Sequence, residues 1–395
     1  MYPEQFLMSL IIFRNHYVFN QAKVVEMKIV FFLIVILHAL IHLPGFLKGF
    51  EIKEIKELTS QISMPLGIVW LAGFLLFLAF GILFLVNFQK CWMVGFIATL
   101  ISQILVMLFW SEASYGSLPN ILIFAVSLVS YGDFNFDRVN RQEISNILDQ
   151  NRMAEDRIIN EGDIQYLPEP VRHWLHNSGI VGHEFINIGH VTQKADVRMK
   201  PEQKKWMKAV ATQYTTLNSP AFIWSIKLRM NQLLFVRGRD KFVRGKGEMM
   251  IKLNSLINIV NEHGAKIDEG ALQRYLGEMV WFPSMALSPY ISWQEVDSLT
   301  ATASIAYEGT SGSGTFYFNS NGDVVKYFAM RYRENGADAK RYGWEIRIMD
   351  YKAFEGIMVP VKMTSTWKLD EGDWNWLNLE VTDIKYNRNA IYNSK

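Results

Sequence analysis

A single cysteine, Cys91, in 395 residues leaves nothing for it to pair with, so an internal disulfide and a cysteine-built metal cluster are both excluded. An excess of one charge is missing as well. Forty Lys and Arg stand against 38 Asp and Glu, without the electrostatic footprint that captures nucleic acid, and no nucleic-acid partner is expected. Charge is scarcest at the start, where residues 1–132 hold only seven of the basic and six of the acidic side chains. No nucleophile elbow, phosphate-cradling glycine loop or paired-carboxylate motif stands out. Ser311-Gly312-Ser313-Gly314 has the wrong order for an elbow and fits a loop entering a strand. No small-residue cleavage signature follows the first apolar run, which argues against a removable signal peptide.

The charge-poor third holds four apolar stretches, Ile29–Leu47, Pro65–Phe88, Cys91–Trp110 and Leu118–Tyr131. About 20 helical residues cross the roughly 30 Å of a bilayer's hydrocarbon; three stretches reach that length, and the shorter fourth carries no charge. Before them, Phe6–Phe13 is too short to span and Arg14, Asn15 and His16 interrupt it. Met27-Lys28 reads as the natural start. The expected organisation is an N-terminal extension over 1–28, a four-span transmembrane domain over 29–132, a helical connector over 133–180 and an antiparallel β-rich soluble domain over 181–395. Arg14, Lys23, Lys28, Lys90, Arg138 and Arg141 flank one side of the spans against Lys48, Lys53 and Lys56 on the other. By the positive-inside bias both ends face the cytoplasm. A multi-pass inner-membrane protein with membrane lipids as partners follows.

His38 and His42 stack on one helical face inside the first span. Ionisable groups at that depth face a bundle interior or polar cavity, and the pair could hold a metal, touch a haem or quinone, or relay protons. Ala39 occupies the place where a metalloprotease helix needs glutamate, and adjacent turns are poorly placed to supply both axial ligands of one haem. Hydrogen bonds to backbone or to hydroxyls of neighbouring helices are the plainer expectation. Pro44-Gly45 should bend or end that helix.

Beyond the spans, Phe136–Glu161 keeps helical rhythm and Val171–Ser178 resumes it after Tyr166–Pro170. From Glu184 the apolar period becomes two, with strands predicted at Val191–Met199, Trp206–Thr216, Phe222–Met230, Leu233–Val236, Phe242–Leu253, Thr300–Tyr307, Gly314–Phe318, Val324–Arg333, Trp344–Tyr351, Met358–Leu369 and Trp374–Tyr386. Asn319–Asp323 and Asp370–Asp373 read as hairpin turns. The pattern predicts an α+β chain: a four-helix transmembrane region, then a curved antiparallel half-barrel with one covering helix. That helix is Glu269–Leu287, burying Leu272, Tyr275, Leu276, Met279 and Val280, with Asp268 as its cap. Arg274 and Glu278, four apart, form an ordinary surface pair in the simplest reading. In the functional reading Arg274 and Glu278 anchor a ligand beside Trp281, Phe282 and Trp344.

At Tyr166–Gly179, at Gly270–Pro283 followed by Ser288-Pro289 and Trp293, and at Tyr342–Tyr386, the chain resembles an uncharacterised bacterial family, a domain of unknown function. The resemblance covers most of Tyr166–Tyr386 and brings no catalytic residue or cofactor with it. Family members often carry a membrane region with the His-x-x-x-His element. The strand order also resembles the half-barrels of LolA-like lipoprotein carriers. Together these readings imply a membrane-anchored, non-enzymatic protein whose β domain encloses an apolar or lipid-like ligand. Two alternatives stand beside it: a metal-, haem- or quinone-linked protein using His38 and His42, and a scaffold whose sheet edge recruits a protein partner.

Overall fold

A computed structural model describes residues 25–56, 58–151, 157–231, 233–388 and 391. Most of the expected N-terminal extension, residues 1–24, therefore lies outside the described residues. The chain divides into two compact units between Asp137 and Arg138.

The first unit is helical. Helix α1 covers 25–40 and gives way, after a turn at Ile41-His42, to α2 (Leu43–Gly49). Pro44 is the cause of the break, since it lacks the N–H and its ring crowds the carbonyl one turn back. Next come α3 (Met64–Leu85), α4 (Cys91–Leu108) and a short α5 (Trp110–Ala113). Helix α6 (Ser117–Gln150) then runs as one element through the fourth apolar stretch and on into the region expected to be a connector. Four segments are long and apolar enough to cross a membrane: Val25–Gly49, Met64–Leu85, Cys91–Leu108 and Trp110–Gln150. Val35, Phe77, Phe80, Ala98 and Ile123 pack inside, while Leu37, Leu100, Met107 and Ile121 point outward. Helices apolar on every side are those that meet hydrocarbon or a large core.

The second unit begins with the last turns of α6, followed by α7 (Glu161–Ile164) and α8 (Glu169–Ser178). Its sheet has thirteen strands: β1 (Ile188–Val197), β2 (Met207–Thr216), β3 (Ala221–Arg229), β4 (Phe235–Val243), β5 (Lys246–Leu253), β6 (Ile257–His263), β7 (Ile291–Asp297), β8 (Thr300–Tyr307), β9 (Thr310–Phe318), β10 (Val324–Tyr332), β11 (Arg341–Phe354), β12 (Ile357–Leu369) and β13 (Gly372–Tyr386). Every pairing is antiparallel, and the order is β6-β5-β4-β3-β2-β1-β13-β12-β11-β10-β9-β8-β7. Two meanders are thus zipped together where the first strand meets the last, with Gly189 opposite Tyr386. The sheet curls into a half-barrel. Between the meanders, α9 (Ala265–Gly277) and two 3-10 turns, Glu278–Trp281 and Pro283–Leu287, run from edge strand β6 to edge strand β7.

The helix predicted over Glu269–Leu287 is therefore shorter and starts earlier. Pro283 ends any regular helix, and Asp268 lies inside α9, where its carboxylate accepts from Gly247 N–H (2.7 Å) and pairs with Lys246 (3.0 Å) instead of capping. The predicted strand Phe242–Leu253 is two strands folded at Arg244-Gly245, both with positive φ, a two-residue hairpin whose arginine disguises the turn. Strands β6 and β7 were not predicted. Both are exposed edge strands with little apolar alternation to reveal them.

Alternation sorts the sheet's two faces. Phe222, Trp224, Ile226 and Leu228 of β3 face inward with Leu272, Tyr275 and Leu276 of α9 and Met279 of the 3-10 turn after it, in one core that also takes Val171 and Trp174 from α8. Each such large side chain removed from water contributes roughly 1.5–3 kcal/mol. Outward, Ile144, Ile147 and Leu148 of α6 cover Ile188, Tyr214 and Ile223. Glu143 of α6 pins the contact through Arg239 (2.9 Å) and Lys241 (2.8 Å), and both cations also reach Glu248 of β5. Burial alone would raise the Glu248 carboxyl, but the Arg239 and Lys241 charges hold it below its usual range.

Candidate functional site

The inward parity of β2, β3 and β4 is interrupted by polar residues. Gln213 of β2 lies opposite Trp224 of β3, which lies opposite Asp240 of β4. Helix α9 lays Arg274 across them. Its guanidinium donates from Nε to Glu278 Oε1 (2.7 Å), from Nη1 to Asp240 Oδ2 (2.5 Å) and from Nη2 to Gln213 Oε1 (3.3 Å), and sits 4.6 Å from the Trp224 ring centre. Glu278 Oε2 accepts from Gln213 Nε2 (2.7 Å). Burial works against the Arg274 charge, yet Glu278 and Asp240 hold it above its ordinary pKa. The simple expectation of a surface pair fails here: Glu278 is 7% exposed, and the pair is the centre of a closed network inside the half-barrel. All three nitrogens of Arg274 are engaged by the protein.

Arg331 is the contrasting case. It faces inward from β10, its guanidinium 4.1 Å from the ring centre of Trp344 and 5.8 Å from that of Trp367. Among the described residues no carboxylate pairs with it. Its buried Nε has no hydrogen-bond partner, and neither has the buried Nε1 of Trp344. Burial lowers its pKa to about 10; Arg274 adds to the shift, while Asp240 and Glu278 oppose it, so the two arginines share one neighbourhood. Gly270 of α9 leaves room: a Cβ there would stand 3.2 Å from Arg331 Nη2.

The other predicted residues fall elsewhere. Trp281 donates from Nε1 to Pro360 O (3.1 Å), and Phe282 is wholly buried against Gly189, where a side chain would overlap its ring. Both rings are packing between the 3-10 turns and the sheet. Arg274, Glu278 and Trp344 belong to the polar end of the interior, to which Asp240, Gln213 and Arg331 must be added. The signal for these was a charged or amide side chain at inward strand parity.

In the first unit His38 and His42 are buried. His38 Nε2 lies 2.8 Å from Asn120 Oδ1, whose amide donates to Gln103 Oε1 (3.1 Å), and Gln103 donates to Ser117 (3.2 Å). His42 Nδ1 lies 2.9 Å from His38 O, and its Nε2 lies 3.0 Å from Ser102 Oγ. Gly73 makes space for the ring, since a Cβ there would come within 2.8 Å of it. Among the described residues no three His, Cys, Asp or Glu converge as metal ligands. Three of the four ring nitrogens are engaged, and His38 Nδ1 is buried with no partner.

Fold and site together define the second unit as an antiparallel half-barrel built around a buried ion network. The chain belongs to the family of unknown function DUF6544, whose profile matches residues 157–379. No curated protein matches it. Among solved structures, a LolA superfamily protein from Nitrosomonas europaea is similar, at 10% identity over 55% of this chain and 94% of that chain, with a TM-score of 0.32. A likeness that distant carries no argument about function.

Proposed function

We propose that this protein is a membrane-anchored binding module whose half-barrel takes an amphipathic, anionic ligand of lipid-like character. One observation carries the reading: Arg331 Nε and Trp344 Nε1 are buried donors with no acceptor among the described residues. Buried polar groups are nearly always satisfied, and here a half-buried cation carries a buried Nε with no acceptor. A carboxylate or phosphate head would supply the missing acceptor, and the indoles of Trp344 and Trp367 would flank the apolar part. Arg274 then acts as structure, holding α9 over the site, and Trp281 and Phe282 pack in the core beside Pro360 and Gly189.

The four apolar helices, with Leu37, Leu100, Met107 and Ile121 turned outward, support anchoring in a bilayer, where such side chains meet lipid rather than water. The distribution of lysine and arginine supports a cytoplasmic second unit. The test uses the full chain purified in nanodiscs, with bound molecules identified by native mass spectrometry and lipid extraction. An anionic amphiphile should co-purify with the wild type and be lost from Arg331→Met. An empty protein, or equal occupancy in the variant, would sink the reading.

The unpartnered Nδ1 of His38, whose Nε2 ends a hydrogen-bonded chain from Ser117 through Gln103 and Asn120, supports a second reading in which the intramembrane pair handles protons or meets a quinone. Absorbance spectra and metal analysis of the purified chain, repeated with His38→Ala, decide it.

A further inference from the structure

Strands β9 and β10 pair from Phe318↔Val324 to Thr315↔Phe328 and no further, although β9 reaches back to Thr310 along β8 and β10 runs on to Tyr332 along β11. The two strands diverge. Between them lies a cleft of about 600 Å³, walled by small residues such as Ser311, Gly312, Ser313 and Ala329. Helix α9 supplies its floor through Glu269 and Gln273, and Glu269 pairs with Arg341 (2.8 Å) at the rim.

Gln273 bridges the gap, donating from Nε2 to Ser313 O (3.3 Å) and Met330 O (3.1 Å). Those bonds fix the direction of both strands. In an antiparallel strand the N–H and C=O of one residue share a side, and alternate residues share that side. Ser311 and Ser313 on one wall, and Met330 and Tyr332 on the other, therefore turn N–H and C=O into the cleft with no strand opposite among the described residues. Gln273 is 3% exposed, and its Oε1 is buried without a donor. Its amide occupies the place of one peptide unit in a strand that is not there.

We propose that this cleft binds a short extended peptide segment of a partner protein, laid as an added strand along β9 or β10. Open ladder edges are templates for such pairing, and main-chain bonds supply the affinity. The small walls leave room for a backbone, and an incoming N–H would satisfy Gln273 Oε1. The open main-chain edges and the Gln273 bridge carry this inference, and neither is used by the ligand reading, so the two stand or fall separately.

The full chain in nanodiscs is panned against a random heptapeptide phage library, and enriched peptides are measured by fluorescence anisotropy. Ser313→Pro removes a ladder N–H; Ser311→Arg fills the cleft from an exposed position. Losing one or two ladder bonds should weaken binding about tenfold in each variant, and N-methylation of alternate peptide nitrogens should do the same. Absence of any enriched peptide, or peptides that bind both variants as they bind the wild type, overturns the proposal. If Ser313→Pro does not fold, as its melting curve will reveal, Ser311→Arg alone decides.

Discussion

Removing the cation at the centre of the network should expose what holds α9 on the sheet. Arg274→Met keeps much of the side chain's volume over Trp224 but leaves the carboxylates of Asp240 and Glu278 facing each other's neighbourhood without their shared partner. Breaking a buried pair by deleting one member costs about 3–5 kcal/mol, because the remaining charge is neither hydrated nor paired. At roughly 2–4 °C per kcal/mol for a domain of this size, the loss in Tm is about 6–20 °C. Tryptophan fluorescence during thermal unfolding in nanodiscs reads it, since Trp224 lies against the guanidinium. The informative comparison is the triple variant Arg274→Met, Asp240→Leu, Glu278→Gln, which removes every charge of the network and lets residue 278 keep its bond to Gln213. If the argument is right, the triple variant melts above the single one. A single variant within about 2 °C of wild type, or a triple that melts lower still, would refute it.

Acid should weaken the half-barrel through His190, whose ring packs 4.4 Å from that of Tyr214 on the outward face. Burial is the main cause that drives its pKa down to about 4, with Asp383 opposing and Lys385 adding. The unfolded chain takes up its proton near pH 6.5 while the folded one does not, so stability is lost as pH falls from about 6.5 to about 4, by up to about 3 kcal/mol. Denaturant midpoints across that range should slope less in His190→Gln; an identical slope would clear His190 of the effect. Gly277→Ala would place a Cβ 2.6 Å from the buried ring of Tyr327, whose hydroxyl is tied to Gln273 O (2.9 Å). Overpacking of that kind costs about 1–3 kcal/mol, and a variant as stable as wild type would mean that Tyr327 yields.

Much of the fold was legible because it rests on local periodicity. Runs such as Pro65–Phe88 announce apolar helices by length alone, and Val191, Ala211, Trp224 and Phe242 mark inward positions by alternation. Edge strands β6 and β7 stayed hidden because neither face of an edge strand need be apolar, and the hairpin at Arg244-Gly245 because only one of its two residues is a turn former. The site was half legible. Arg274 and Glu278 were visible as a helical pair, but whether such a pair is solvated or buried depends on what the helix lies against. Asp240, Gln213 and Arg331 come from strands far apart in the chain.

What the amino-acid sequence determined by itself is the division into apolar helices and an alternating sheet, since hydrophobic pattern acts within a few residues of each position. Only the tertiary structure decided which charges meet. Arg274 closes on Asp240 while Arg331 is left facing indoles, and β9 parts from β10 around Gln273. Those outcomes depend on distance through space between segments that no local pattern connects.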